Sequence, residues 1–121
     1  MLQEEVKFVV KGHEYTIKYP TVGQYYNIEA LKQSLGRGNY NMMVQSPLRS
    51  VQDALDMIDI EATLTIMCPD LIKDLKVPIT ELDVRDFVAV KDAYIKQVAP
   101  FFKSINDALH GDAAGISENV G

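Results

Sequence analysis

At 121 residues the chain is the length of one domain, which excludes most two-domain enzymes, and with 47% hydrophobic and 24% charged residues it can bury a core. Twelve Lys and Arg against seventeen Asp and Glu leave a net charge of −5, which argues against nucleic-acid binding because phosphate neutralisation supplies most of such affinity. One Cys, two His and no Trp leave few residues of the kinds that catalysis and metal binding use.

Val6, Phe8 and Val10 alternate with polar neighbours that include Lys7 and Lys11, the period-two pattern of a strand. Tyr15, Ile17 and Tyr19 repeat it beyond Gly12-His13, so residues 5–19 read as a hairpin with the glycine supplying a positive φ at the turn and Pro20 closing the second strand. Two strands alone are marginal in water, so their apolar face has to lie on something else. Thr21 with Gln24 three residues later is a capping box, and Tyr25, Ile28, Leu31 and Leu35 follow at helical spacing until Gly36-Arg37-Gly38, which suits a left-handed cap. This predicts a helix over about 21–35. Ser46-Pro47 is a second helix start and predicts a helix over 47–67. Its apolar residues form two stripes, one through Val51, Leu55, Ile58, Ala62 and Ile66 and one through Met57, Ile60, Leu64 and Met67, which places it centrally. Pro69 forces residue 68 out of helical geometry, and a short helix is expected over 70–76. Thr80 or Asp83 can cap a last helix over 81–109 that carries Val84, Phe87, Val88, Tyr94, Ile95 and Val98, kinks at Pro100, and continues through Phe101, Phe102, Ile105 and Leu109. The expected fold is therefore α+β and mostly α, an N-terminal two-stranded hairpin packed on a bundle of about four helices. It forms a single domain over 1–109 with a flexible polar tail at 110–121.

The chemistry-bearing residues favour plain roles. Asp53, Asp56 and Asp59 are spaced by three on the central helix with Glu61 close behind, but a helix drifts about 60° over each three-residue step and no calcium-loop pattern is present, so they read as a solvated face. Residues 41–75 hold two basic and six acidic groups, whereas residues 1–40 hold five and four. That acidity could steer a basic partner, or the hairpin lysines Lys7, Lys11 and Lys18 of a second copy. His13 and His110 have no Cys or second His at ligand spacing, and Cys68, beside a proline in an apolar stretch, reads as a buried inert thiol. The lone Cys excludes an intramolecular disulfide. The opening MLQEEVKFVV lacks a basic start followed by a long apolar run, and no apolar stretch reaches the roughly 18 residues of a membrane span. The expectations are a cytoplasmic protein with no membrane or nucleic-acid partner, no cofactor, no metal and no catalytic residue. Tyr40, Met42, Met43 and Val44, where adaptable Met sits beside Tyr, and Phe101 and Phe102, adjacent positions about 100° apart on a helix, are the candidate partner-binding residues.

The run KFVVKGHEYTIKYPT leading directly into VGQYYNIEALKQSL resembles the start of tail assembly chaperones of long-tailed bacteriophages, which often open with a K-G-x-E-Y hairpin and a Pro-Thr helix start. The resemblance spans residues 6–35, and beyond them it rests on the helix layout. It implies a protein that coats the tape-measure protein, or contacts another tail protein, in the host cytoplasm, keeping a long aggregation-prone chain in solution until tube subunits replace it. It also implies an exposed apolar groove or flank, weak self-association along the client, and a longer frameshifted form for which the polar tail is a compatible linker. The alternatives are a small structural virion protein of the tail or connector, ringed through its hairpin, and a metal-dependent enzyme built on the Asp53–Asp59 carboxylates.

Overall fold

The computed structural model describes residues 4–111; the expectations for the tail beyond Gly111, and for the first three residues of the domain, lie outside them. The chain forms an antiparallel hairpin of β1 (Glu5–Val10) and β2 (His13–Lys18), then α1 (Val22–Leu35), α2 (Tyr40–Gln45), α3 (Arg49–Met67), α4 (Pro69–Leu75), a 3-10 turn (Ile79–Glu81), α5 (Val84–Ala93), a π-helical turn (Tyr94–Val98) and α6 (Ala99–His110). This is the α+β, mostly helical arrangement the patterning predicts. Among the described residues no helix is long and apolar enough to cross a membrane.

The hairpin register pairs Val6 with Ile17 and Phe8 with Tyr15, so the apolar alternation of both strands falls on one face. The turn is Lys11-Gly12 and not Gly12-His13. Both of its residues have positive φ, 52° and 83°, as a two-residue turn matched to strand twist requires, and His13 opens β2 opposite Val10. The sheet's inner face supplies Val6, Phe8, Val10 and Ile17 to the core, which closes over Ile60 and Leu64 of α3, Leu71 of α4, Val90 and Tyr94, and Val98, Phe101 and Ile105. Ile60 and Leu64 have no exposed surface, so the two-striped helix is indeed central.

Local chemistry sets most boundaries. Thr21 Oγ1 accepts from the Gln24 N–H at 3.1 Å, and Gln24 Oε1 accepts from the Thr21 N–H at 3.0 Å, completing the capping box of α1. Gly36 ends α1 in right-handed geometry, so the left-handed positions are Arg37 and Gly38 instead. Gly36 serves close approach: a Cβ there would stand 3.1 Å from that of Tyr40. Pro47 does not start α3. Ser46, extended ahead of the proline, takes the Leu48 N–H on its hydroxyl at 3.2 Å and the Gln52 side-chain amide on its carbonyl at 2.7 Å, and the helix begins at Arg49. Cys68 leaves helical geometry (φ −140°, ψ 62°) as Pro69 demands, and Pro69 itself opens α4, which ends at Leu75, one residue early.

The last helix departs furthest from expectation. It starts at Val84 on the Asp83 cap, whose side chain accepts from the Asp86 N–H, and Pro100 falls in the first turn of α6, directly after a π turn. Proline cannot donate to the carbonyl a turn earlier, and the chain absorbs this upstream as a π turn in which the Ala99 N–H reaches back to the Tyr94 carbonyl. Tyr94 and Val98 both face inward, and Ile95 faces out. Val84, Val88 and Ile95, read from sequence as one core face with Phe87 and Tyr94, are exposed, Val84 at 78%. α6 runs through His110, so the first residue assigned to the tail is helical.

Candidate protein-binding surface

α1 is the rail on which the candidate surface lies. At fourteen residues it is roughly 20 Å long, packed on α3 and joined to α6 through Tyr25 and Asn106. At its N-terminal end an apolar groove of about 220 Å3 opens between Tyr19, Pro20, Val22 and Tyr26 on one wall and Ile105 and Leu109 on the other. Val22, Tyr26 and Leu109 are all exposed there, and the Tyr26 ring stands edge-on to Tyr25 with centroids 5.4 Å apart.

Tyr25 divides the surface. Its hydroxyl donates to Asn106 Oδ1 at 2.6 Å, tying α1 to α6, and burial raises its pKa. Beyond this bridge a cleft of about 320 Å3 is walled by Glu29 and Lys32 of α1, Asp56 and Asp59 of α3, and Lys103 of α6, over a floor that includes Ile28, Ile60 and Phe102. Tyr94 and Thr63 lie at its base, where the Tyr94 hydroxyl donates to Thr63 Oγ1 at 3.2 Å; burial, reinforced by the charges of Asp59 and Asp56, raises Tyr94 to about 12. Three carboxylates against two lysines make the cleft acidic.

The aspartates are therefore not a simple solvated face. Asp53 is exposed and pairs along its own helix with Arg49 at 3.2 Å, but Asp56 reaches Lys91 of α5 at 3.7 Å and Asp59 reaches Lys32 at 3.8 Å. Burial raises the Asp59 carboxyl above its ordinary value, while Lys32 and the Tyr40 hydroxyl oppose that shift. Of the hairpin lysines, Lys7 pairs with Glu5 and Lys11 with Asp86, so neither answers the acidity of the middle third, where Lys32 and Lys91 take Asp59 and Asp56 and Arg49 takes Asp53. No group of three or more His, Cys, Asp or Glu among the described residues is placed to hold a metal ion. Cys68 is buried, and that burial pushes its thiol up, away from the reactive thiolate.

At the C-terminal end of α1 the surface meets α2, a six-residue helix with no buried residue. Tyr40 fastens it: the half-buried hydroxyl donates to Asp59 at 2.7 Å, which together with burial holds the phenol far above its usual pKa. Tyr40 is thus an anchor and not a displayed contact, and Met43 is half-buried. Met42 and Val44 stand free, Met42 at 73% exposure, and Leu48 in the straight link to α3 joins them at 62%. Phe101 is 2% exposed and packed edge-on against Tyr19 and Phe102, so it belongs to the core; Phe102 is half-buried in the cleft floor. The structure thus separates the six candidate residues, keeping Met42 and Val44 at the surface, with Phe102 reachable only through the cleft. It adds Leu48, Val22, Tyr26 and Leu109, which sequence reading missed because an apolar residue at helical spacing is ordinarily assigned inward.

The fold and surface define a mostly helical α+β domain with a roughly 20 Å band, apolar at both ends and acidic between them. Comparison with known protein families, with curated proteins and with solved structures finds no match to this chain.

Proposed function

We propose that the domain binds a helical segment of another protein along α1, and that it acts as a tail assembly chaperone for the tape-measure protein of a long-tailed phage. The observation that carries the binding role is the pairing of two exposed apolar ends, Val22–Tyr26–Leu109 and Met42–Val44–Leu48, with an acidic cleft between them. An amphipathic helix laid on this band buries apolar residues at both ends, and its basic residues compete with Lys32 and Lys91 for Glu29, Asp56 and Asp59 between them, so the apolar ends supply most of the affinity. The client assignment comes from the hairpin and helix-start resemblance of residues 6–35, and neither role requires a catalytic residue.

Co-expression with a helical tape-measure fragment tests it. The fragment's soluble yield rises with the wild-type chain and falls back with Met42→Asp or Val22→Asp, both surface changes that leave the core intact. A fragment that stays insoluble beside the wild-type protein rejects the chaperone role. Stoichiometric recovery of the chain in purified particles would favour the structural virion protein instead.

A further inference from the structure

The two edges of the hairpin are not equivalent. The Tyr19 N–H donates to the Glu4 carbonyl at 2.9 Å, which sets the phase of the ladder: Val6–Ile17, Phe8–Tyr15 and Val10–His13 turn their backbone groups toward each other. Glu14, Thr16 and Lys18 consequently aim their N–H and C=O groups away from β1. Among the described residues no hydrogen bond outside the ladder reaches these groups, and neither Glu14 nor Lys18 has an ion-pair partner. β1 packs against α5 and the π turn, whereas β2 makes no comparable contact with any helix, so β2 is the more open edge. It carries no proline, bulge or inward-pointing charge; what blunts it is its six-residue length and the outward charges of Glu14 and Lys18.

We propose that β2 pairs antiparallel with β2 of a second copy about a twofold axis at Thr16, joining two hairpins into one four-stranded sheet. The order Glu14-Tyr15-Thr16-Ile17-Lys18 is self-complementary under that operation. Glu14 meets Lys18 of the partner subunit and Thr16 meets its own copy on the solvent face, while Ile17 stays in the core of its own domain and Tyr15 stays packed against that core. The outward backbone groups of Glu14, Thr16 and Lys18 are then in phase to exchange hydrogen bonds across the axis. Register is specified as well. Of the alignments that bring outward groups together, this one alone sets both charges opposite their complements; centring on Glu14 or Lys18 sets like charges opposite. Because the contact is twofold and uses the same edge of both copies, it closes at a dimer. This surface is separate from the band along α1, so dimerisation and client binding fail or hold independently.

The test is the solution mass of the full chain by light scattering over a concentration series up to about 1 mM, the weak end of specific association. The wild type reaches twice the monomer mass. Thr16→Pro, which removes a donor that the hairpin itself does not use, returns it to a monomer while circular dichroism stays unchanged. Glu14→Lys alone and Lys18→Glu alone each weaken the dimer by roughly tenfold, since two symmetry-related pairs become repulsive, and the double exchange restores it. A wild type that remains monomeric throughout overturns the proposal. So does a dimer that survives Thr16→Pro with its fold intact, or a double exchange that fails to recover what the single changes lose.

Discussion

Replacing Tyr40 with Phe removes the shorter of the two side-chain bonds that hold α2, the other running from Gln33 to Asn41 at 3.4 Å. The ring and its packing remain; what goes is a 2.7 Å hydrogen bond to a carboxylate two-thirds buried. Bonds to charged groups are worth about 1.5–3 kcal/mol, and the partial exposure of Asp59 lets water replace part of that, leaving about 1–2 kcal/mol. A six-residue helix with no buried residue has no independent stability, so the loss falls on local opening of α2 and not on the whole domain. Amide exchange over Tyr40–Gln45 should quicken about 5–30-fold, with Ile58–Leu64 of α3 unchanged. Titration supplies a second readout. The Tyr40 bond opposes the upward shift of Asp59, so the variant's Asp59 should titrate higher still. Because the native carboxyl already sits above its unfolded value, the cost of burying its charge is present at neutral pH and relieved as pH falls through the native pKa. The difference between variant and wild type should therefore shrink in acid. Equal acceleration of exchange in α2 and α3, or none in either, would refute the tether.

Three further expectations concern the frame. Leu64→Ala, at a site with no exposed surface, should cost about 2–5 kcal/mol in urea unfolding, and a loss under about 0.5 kcal/mol would mean that α3 is not central. Thr21→Ala removes the acceptor of the capping box and should lower stability by about 0.5–2 kcal/mol; an unchanged midpoint would show that α1 does not depend on its cap. Tyr94, raised by burial from 10.0 to about 12, contributes stability that is whole below pH 10 and lost as pH rises toward 12, on the order of 2–3 kcal/mol. Tyr94→Phe should remove that alkaline decline, and an identical decline in the variant would place its origin elsewhere. Tyr15, raised to about 12 by burial and its bond to Asp74 but far more exposed, should contribute much less in the same window.

Legibility differed from element to element for identifiable reasons. The hairpin face and the start of α1 were readable because a period-two pattern and a capping box are contacts among neighbours in sequence. The two-striped α3 was readable because an apolar arc that wide has only one stable place. Pro47 and Pro100 show where local signals stop. The first reads as a helix start, but Ser46 and Gln52 hold it just outside α3; the second reads as a kink, and the chain accommodates it with a π turn a few residues upstream. Ile95 is exposed because it lies two turns on from Val88, on the same outward face as Val84 and Val88.

Of the candidate binding residues, sequence located the segment around Met42 and Val44, but could not tell display from anchorage. Tyr40 is an anchor because Asp59, nineteen positions on, lies within reach of its hydroxyl. Phe101 is core because Tyr19 from the hairpin covers it. The acidity of the middle third was plain in the composition, yet whether it faced a partner or the chain's own lysines depended on α1 and α5 bringing Lys32 and Lys91 alongside. The sequence by itself determined the element types, the central helix and the amphipathic hairpin, because these follow from periodicity and capping within a few residues. Only the tertiary structure decided which apolar side chains stay uncovered and which charges are answered, since both are settled by residues far apart in the chain.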